Sequence, residues 1–425
     1  MGTLLYPPYL QWEVVSDCNH KCIHCYNYWR ADGMSVETCA KFDEITTQII
    51  ERKPLYLAIT GGEPMLVFSH IQPCISRMRA AGITVSISTN GTLITEEIAR
   101  YLSENHIDLV ISLPSIDRKI CDSVCCAENV VGKLEKVFPL LKENHISTTI
   151  NVVINKLNIS TLYDTLKAIN GWGFVARVGM AQRPINASSE YLKYELDKAD
   201  FKNIVRQTLN AKRDFRMDVD FSVCIPDCAF GSEDGVEEIQ KGDCFAGTIA
   251  YAIDTAGNVK ACQCDTRTYG NILTDSFEEI YKNMSEWRNG SLIPDECKKC
   301  NKVRSCRGGC RVESYANTGD YKSLPTFADL KNVPVAAAKN AEILDFSDDA
   351  EFSLEPKTVF LKDKECYRVS VGFVATHLSN DFANWLMENH SFKFDDLQKA
   401  TPAPRAQLLA VLKMLLNNGI IHIQK

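Results

Sequence analysis

The sequence lacks any stretch of eighteen or more apolar residues, so no helix able to cross a bilayer is expected, and no membrane partner. It also lacks a basic leader followed by an apolar run and a small-residue cleavage site. The start, MGTLLYPPYLQWEVVSDC, gives secretion no support, and the cytoplasm is the expected compartment. Nor is there an excess of positive charge: Lys and Arg number 47 against 54 Asp and Glu, a formal net charge of -7. Nucleic-acid affinity comes largely from Lys and Arg contacts to phosphate, so a general nucleic-acid binder is excluded. Internal repeats and low-complexity tracts are absent too.

What the chain has in quantity is cysteine, 18 in 425 residues. A reducing cytoplasm makes a disulfide framework improbable, and the thiols need another explanation. Several stand in short-spaced groups, C-x3-C-x2-C and C-x2-C-x5-C-x3-C, which suit metal or cluster ligation. Converging thiolates would repel one another without a cation between them. The length exceeds one ordinary core and predicts two or three domains.

From about residue 10 to 215, short β-branched runs alternate with longer amphipathic stretches. LQWEVVS (10–16), LYLAITGG (55–62), TVSISTNG (84–91), IDLVISL (107–113), STTINVVIN (147–155) and VARVGMAQ (175–182) read as strands. The intervening segments VETCAKFDEITTQIIER, HIQPCISRMRAAG, TEEIARYLSENH, VVGKLEKVFPLLKENH and STLYDTLKAINGWG have helical spacing. Six βα units predict a parallel sheet with helices outside and the active site at the C-terminal strand ends. Residues 216–333 change to irregular, Cys- and Gly-rich sequence with one hairpin, IAYAIDTAGNVKACQC, around the turn signal TAGN. Such a segment has too little apolar surface to fold well alone, and bound clusters would supply the missing stabilisation. Residues 334–350 read as a linker. Beyond them FSLEPKTVFLKD and CYRVSVG form an expected hairpin, followed by helices in SNDFANWLMENH, FDDLQKA and RAQLLAVLKMLLNNG and a strand in IIHIQK.

The sharpest chemical signal is Cys18, Cys22 and Cys25 in CNHKCIHC, directly after the first predicted strand. Three thiolates at this spacing can each hold one iron of a [4Fe–4S] cube and leave the fourth iron open to the amino and carboxylate groups of a methionine moiety. The alternative is a zinc site with His20 or His24 as fourth ligand. GGEP, Gly61 to Pro64, ends the second strand: the glycines permit close backbone approach, and Glu63 offers an acceptor to an ammonium. Alone it reads equally as a turn. Ser88, Thr89 and Asn90 end the third strand, and Ser112 in ISLPS ends the fourth. Arg177 on the sixth strand is either a carboxylate partner or a surface charge.

C-x3-C-x2-C followed by the aromatic Tyr26, with GGEP and STNG after successive strands, resembles the radical S-adenosylmethionine (SAM) superfamily across residues 10–215. The resemblance implies a partial (β/α)6 TIM-like barrel, with Cys18, Cys22 and Cys25 on the catalytic cluster and Tyr26, Gly61, Gly62, Glu63, Pro64, Ser88, Asn90 and Ser112 as SAM-site residues. Pro114 stands where many relatives carry Asp, so no carboxylate role transfers there. The implied chemistry is reductive cleavage of SAM to methionine and a 5′-deoxyadenosyl radical that takes a hydrogen atom from substrate, with a flavodoxin- or ferredoxin-type electron donor.

Downstream, Cys244, Gly257 and Cys262, then Cys297, Cys300, Cys306 and Cys310, resemble the SPASM domain of radical SAM enzymes that modify peptides and proteins. The resemblance implies two auxiliary [4Fe–4S] clusters, the first on Cys244, Cys262 and Cys310 and the second on Cys297, Cys300 and Cys306. A zinc ribbon is the alternative. Relatives carry a last cysteine shortly after the C-x3-C pair, and here there is none. Asp320, Asp329 or Cys366 are candidates to complete the second cluster, and Cys224, Cys228 or Cys264 the first. Cys39 and Cys74 are expected to pack in cores, and Cys121, Cys125 and Cys126 to pack or to donate hydrogen.

The C-terminal module loosely resembles a PqqD-like leader-recognition domain, for which the residues before Cys18 leave no room; a winged helix or a structural cap are the alternatives. The expected function is radical modification of a ribosomally made peptide bearing a leader, forming a C–S or C–C cross-link. Sulfatase maturation or assembly of a small cofactor is the alternative, and a noncatalytic zinc-binding interaction protein a further one.

Overall fold

The computed structural model describes residues 8–27, 40–185, 187–231, 235–239, 244–332, 350–355, 358–362, 366–371, 374–401, 405–417 and 420–423. Cys39 and the expected linker, apart from Ala350, lie outside them. The chain divides into two compact units, one of Tyr9–Ala336 and one containing Ala337–Lys425.

The larger unit is built on a nine-stranded sheet: β1 (Tyr9–Glu13), β2 (Tyr56–Thr60), β3 (Thr84–Thr89), β4 (Asp108–Ser112), β5 (Thr148–Ile154), β6 (Val175–Met180), β7 (Val219–Phe221), β8 (Ala250–Ile253) and β9 (Val259–Lys260). Its order is β7-β6-β5-β4-β3-β2-β1-β8-β9, with every pairing parallel except β8 with β9. All six strands read from the sequence are present and neighbour one another in chain order. The hairpin of the Cys-rich segment is also present, and its first strand continues the sheet beside β1, register Tyr9 to Ala250.

Period-two alternation assigns the two faces. Leu10, Trp12, Leu57, Ile59, Val85, Ile87, Leu109, Ile111, Ile150 and Val152 are buried. Their sequence neighbours Gln11, Ala58, Thr60, Ser88, Val110, Ser112, Asn151 and Val153 line a cavity on the opposite face. Those strand residues are small or polar, which leaves room for a bound molecule. The helices of this unit are α1 (Phe42–Arg52), α2 (Phe68–Ala80), α3 (Glu96–Glu104), α4 (Arg118–Cys125), α5 (Val130–Glu143), α6 (Leu162–Gly171), α7 (Lys198–Phe215), α8 (Phe277–Asn283), α9 (Val303–Cys306) and α10 (Arg311–Thr318). Their starts follow capping chemistry: Thr95 accepts from the Ile98 N–H, Asp117 from Ile120, and Asp197 with Asp200 forms a reciprocal capping box at α7.

In the smaller unit β10 (Glu351–Leu354) pairs with β14 (Ser391–Lys393) and β15 (Ile421–Ile423), while β11 (Val359–Lys362), β12 (Cys366–Val371) and β13 (Val374–Ser379) form a second antiparallel sheet. The expected hairpin is therefore split. β11 and β12 do pair, but FSL at its start belongs to the other sheet, because Phe352 packs with Phe392 and fills the helical core. Helices α11 (Asn380–Glu388), α12 (Phe394–Ala400) and α13 (Arg405–Asn417) place Phe382, Leu386, Leu397, Leu408 and Leu412 in that core. Among the described residues no helix is long and apolar enough to cross a membrane.

Candidate active site

At the C-terminal ends of β1–β6 a cavity of about 340 Å³ collects Cys18, Cys22, Cys25, Tyr26, Gly61, Gly62, Glu63, Ser88, Thr89, Asn90, Ser112 and Pro114. Thus the SAM-site residues expected from sequence converge on one space. Pro64 instead opens the one-turn helix Pro64–Val67 behind it, and Arg177 pairs with Asp218 at 3.0 Å on the surface.

The glycines of GGEP have a steric reason. A Cβ on Gly61 would lie 2.3 Å from the Val15 carbonyl oxygen, and one on Gly62 1.8 Å from that of Asp17. The chain leading into Cys18 crosses directly over them: the Gly62 N–H donates to Val15 O at 2.6 Å and the Glu63 N–H to Asp17 O at 2.8 Å. The glycine pair therefore seats the cysteine loop on β2.

Glu63 is 1 % exposed, and its carboxylate accepts from the Thr89 hydroxyl at 2.6 Å, the Met65 N–H at 3.0 Å and the Asn90 N–H at 2.8 Å. Burial pushes its pKa up, and those donors oppose the shift. Besides facing the cavity, Glu63 thus ties the ends of β2 and β3 together. Asn90 donates in turn to Asn19 Oδ1 at 2.7 Å, inside the cysteine loop.

The loop itself is braced by α4, whose last carbonyls, those of Cys125 and Val124, accept the N–H groups of Lys21 and Ile23 at 3.1 and 3.0 Å. The backbone donates to sulfur as well, His20 N–H to Cys18 at 3.4 Å and Asn27 N–H to Cys25 at 3.3 Å. A hydrogen bond from the Cys125 thiol holds Cys22 well below the ordinary thiol range. Cys125 lines the cavity, Cys121 is buried behind it and Cys126 is exposed. A ligand atom each from His20, Cys22 and Cys125 lies within 4.8 Å of the others. Both ring nitrogens of His20, Nδ1 of His24 and Oδ1 of Asn27 are buried without hydrogen-bond partners among the described residues. Three thiols aimed into a cavity with polar atoms awaiting partners fit a cluster with a bound polar ligand.

The far wall comes from the Cys-rich segment, which supplies Gln263, Cys264, Val312 and Glu313. It is joined to β1 by a buried ion pair, Lys260 Nζ to Glu13 at 3.2 Å, with Lys260 also donating to Gln263 O at 3.2 Å and the Tyr26 hydroxyl to Glu13 at 3.4 Å. Sequence reasoning missed Glu13 and Lys260; a charged residue in an otherwise apolar strand was the available signal.

Two further thiol groups stand behind that wall. In one, Cys224 hydrogen-bonds Cys244 and so holds it down to about 6, Cys262 bonds Cys264, and Cys310 feels the charges of Cys244 and Cys262. The other contains Cys297, Cys300 and Cys306; burial pushes the Cys228 thiol up, and Cys306 and Cys300 act on it as neighbouring charges. Arg311, 4 % exposed, is close to thiols of both groups, and its guanidinium donates to the carbonyls of Gly309, Tyr321 and Ser323. The side chain of Cys366 lies outside the described residues.

Residues 12–169 match the family model of the Radical SAM superfamily. The chain is 26% identical over 317 residues to mycofactocin maturase MftC of Mycobacterium ulcerans, covering 73% of this chain and 84% of that one. It is 25% identical over 344 residues to the AdoMet-dependent heme synthase of Methanosarcina barkeri, covering 74% and 94%. The fold is similar to that of native anSMEcpe with bound AdoMet and Cp18Cys peptide, TM-score 0.61 at 20% identity over 75% of this chain and 92% of that one. It is likewise similar to Streptococcus suis SuiB bound to precursor peptide SuiA, TM-score 0.61 at 18% identity over 75% of each. With the cavity, the cysteine loop and the glycine-seated strand ends in place, residues 12–169 form a Radical SAM domain, and that match together with the maturase relatives indicates an iron–sulfur enzyme.

Proposed function

We propose that the chain is a radical SAM maturase that oxidatively modifies a ribosomally made peptide, joining two of its atoms by a C–S or C–C bond. The observation that carries this reading is the shared wall: the cavity lined by Cys18, Cys22 and Cys25 is closed on its far side by Gln263, Cys264, Val312 and Glu313, neighbours of the downstream thiols. The names of relatives support it, since one is a maturase and the similar folds include complexes with peptides.

In this reading Cys18, Cys22 and Cys25 hold the catalytic [4Fe–4S] cluster and Cys244, Cys262, Cys310 and Cys224 the first auxiliary one. When bound, these groups and SAM supply a carbon radical that removes a hydrogen atom, and an acceptor for the electron released when the new bond forms. The protein does the rest. Gly61 and Gly62 fix the cysteine loop, while Glu63, Ser88, Asn90 and Ser112 offer polar atoms to the nucleoside and amino-acid ends of SAM. Val110, Val153 and Val312 exclude water near the reacting carbon. The smaller unit is the candidate leader-binding module.

The test is anaerobic incubation with SAM, a strong reductant and a candidate precursor peptide, read by mass spectrometry. A cross-link lowers the peptide mass by about two units, one hydrogen atom leaving on 5′-deoxyadenosine and the other as a proton with its electron on the protein. An unchanged mass with solvent deuterium uptake would mean epimerisation. Turnover of a sulfatase peptide or of a small cofactor precursor in place of the leader peptide would overturn the peptide-cross-link reading.

A further inference from the structure

The C-x2-C-x5-C stretch brings three thiols, Cys297, Cys300 and Cys306, and a four-iron cluster takes a fourth ligand. The downstream carboxylates are engaged in local turns. Asp320 accepts the Lys322 N–H at 2.9 Å and Asp329 the Lys331 N–H at 3.1 Å. Upstream, the one-turn helix Asp227–Ala229 presents Cys228 to the same place. The Asp227 N–H donates to Cys306 Sγ at 3.4 Å. A Cβ on Gly309 would lie 3.2 Å from Cδ of Pro226, so the turn before Cys228 packs on the loop joining Cys306 to Cys310. Burial is the main influence on the Cys228 thiol. The backbone N–H of Asp329 donates to it, and Cys306 and Cys300 act on it as neighbouring charges. Cys297, after burial and Arg311, feels Cys306, Cys228 and Cys300 in the same way. The proximity is mutual.

We propose that Cys228 is the fourth ligand of the second auxiliary cluster, so that Cys228, Cys297, Cys300 and Cys306 form its complete set. The last ligand thus comes from before the hairpin rather than from after the C-x3-C pair, and Asp329 lends only its backbone N–H to the sulfur. With all four irons held by thiolates, this cluster has no open corner for a substrate sulfur and serves to carry electrons. The inference rests on the reading that these thiols hold an iron–sulfur cluster.

Iron, acid-labile sulfide and the electron paramagnetic resonance of the reduced, anaerobically reconstituted full chain test it. Cys228→Ala and Cys297→Ala are each expected to remove the same signal and up to about four irons per chain, while Asp320→Asn, Asp329→Asn and Cys366→Ala change neither. Loss of iron in Cys297→Ala but not in Cys228→Ala, or a matching loss in a downstream variant, overturns the assignment. No loss in either cysteine variant overturns the cluster reading itself. A measurement on the unaltered chain guards against misfolding: Cys228 should resist alkylation in iron-loaded protein and react after iron is stripped. Equal alkylation in both states would contradict the proposal.

Discussion

Cys18, Cys22 and Cys25 come from one loop, held by two glycines below and by the end of α4 beside it. The downstream thiols are gathered from segments as far apart as Cys224 and Cys310. The first arrangement is local and can be preorganised by backbone packing alone. The second depends on a hairpin, a buried arginine and a chain reversal, so its ligands are not preorganised within one segment. Metal binding should therefore contribute more to the folding of the second region than of the first.

Removing a thiol from the downstream region breaks that comparison most sharply. Cys244→Ala should leave 5′-deoxyadenosine release from SAM largely intact while lowering formation of modified peptide by more than about a hundredfold. Equal loss of both activities would show that the regions do not act separately. Next comes the link between them. Glu13→Gln leaves the Lys260 ammonium, 3 % exposed, buried without its counter-charge, and should cost about 3–5 kcal/mol of stability. Glu13→Met with Lys260→Met together should recover most of that in denaturant titration. Smaller still, Gly62→Ala drives a methyl group against the Asp17 carbonyl and should cost about 1–3 kcal/mol. It should also lower iron at the first region more than at the second. Arg177→Ala, losing a surface pair with side chains 33% and 59% exposed, should shift stability by less than about 1 kcal/mol.

The sequence was most legible where physics is local. Alternation in TTINVVI set which side chains of β5 face the cavity, and GGEP and CNHKCIHC announced a close approach and a cysteine-bearing loop at the cavity. Helix α4 was missed because RKICDSVC is short and polar, and α7 because Asp197 and Asp200 cap it within a charged stretch. The partner of Cys228 could not be read at all, since nothing in a string says that a turn at residue 227 lies against Cys306. FSL was joined to the wrong sheet for a similar reason: Phe352 is chosen by its distant packing against Phe392, not by its neighbours.

The central claim is that the N-terminal thiols hold the cluster at which SAM is cleaved. It is tested most directly by measuring 5′-deoxyadenosine from the anaerobically reconstituted chain and from the Cys18→Ala, Cys22→Ala, Cys25→Ala variant. The account predicts SAM cleavage by the first and none by the second, with the variant short of about four irons. Equal release by both, or a chain that takes up zinc and no iron, would contradict it.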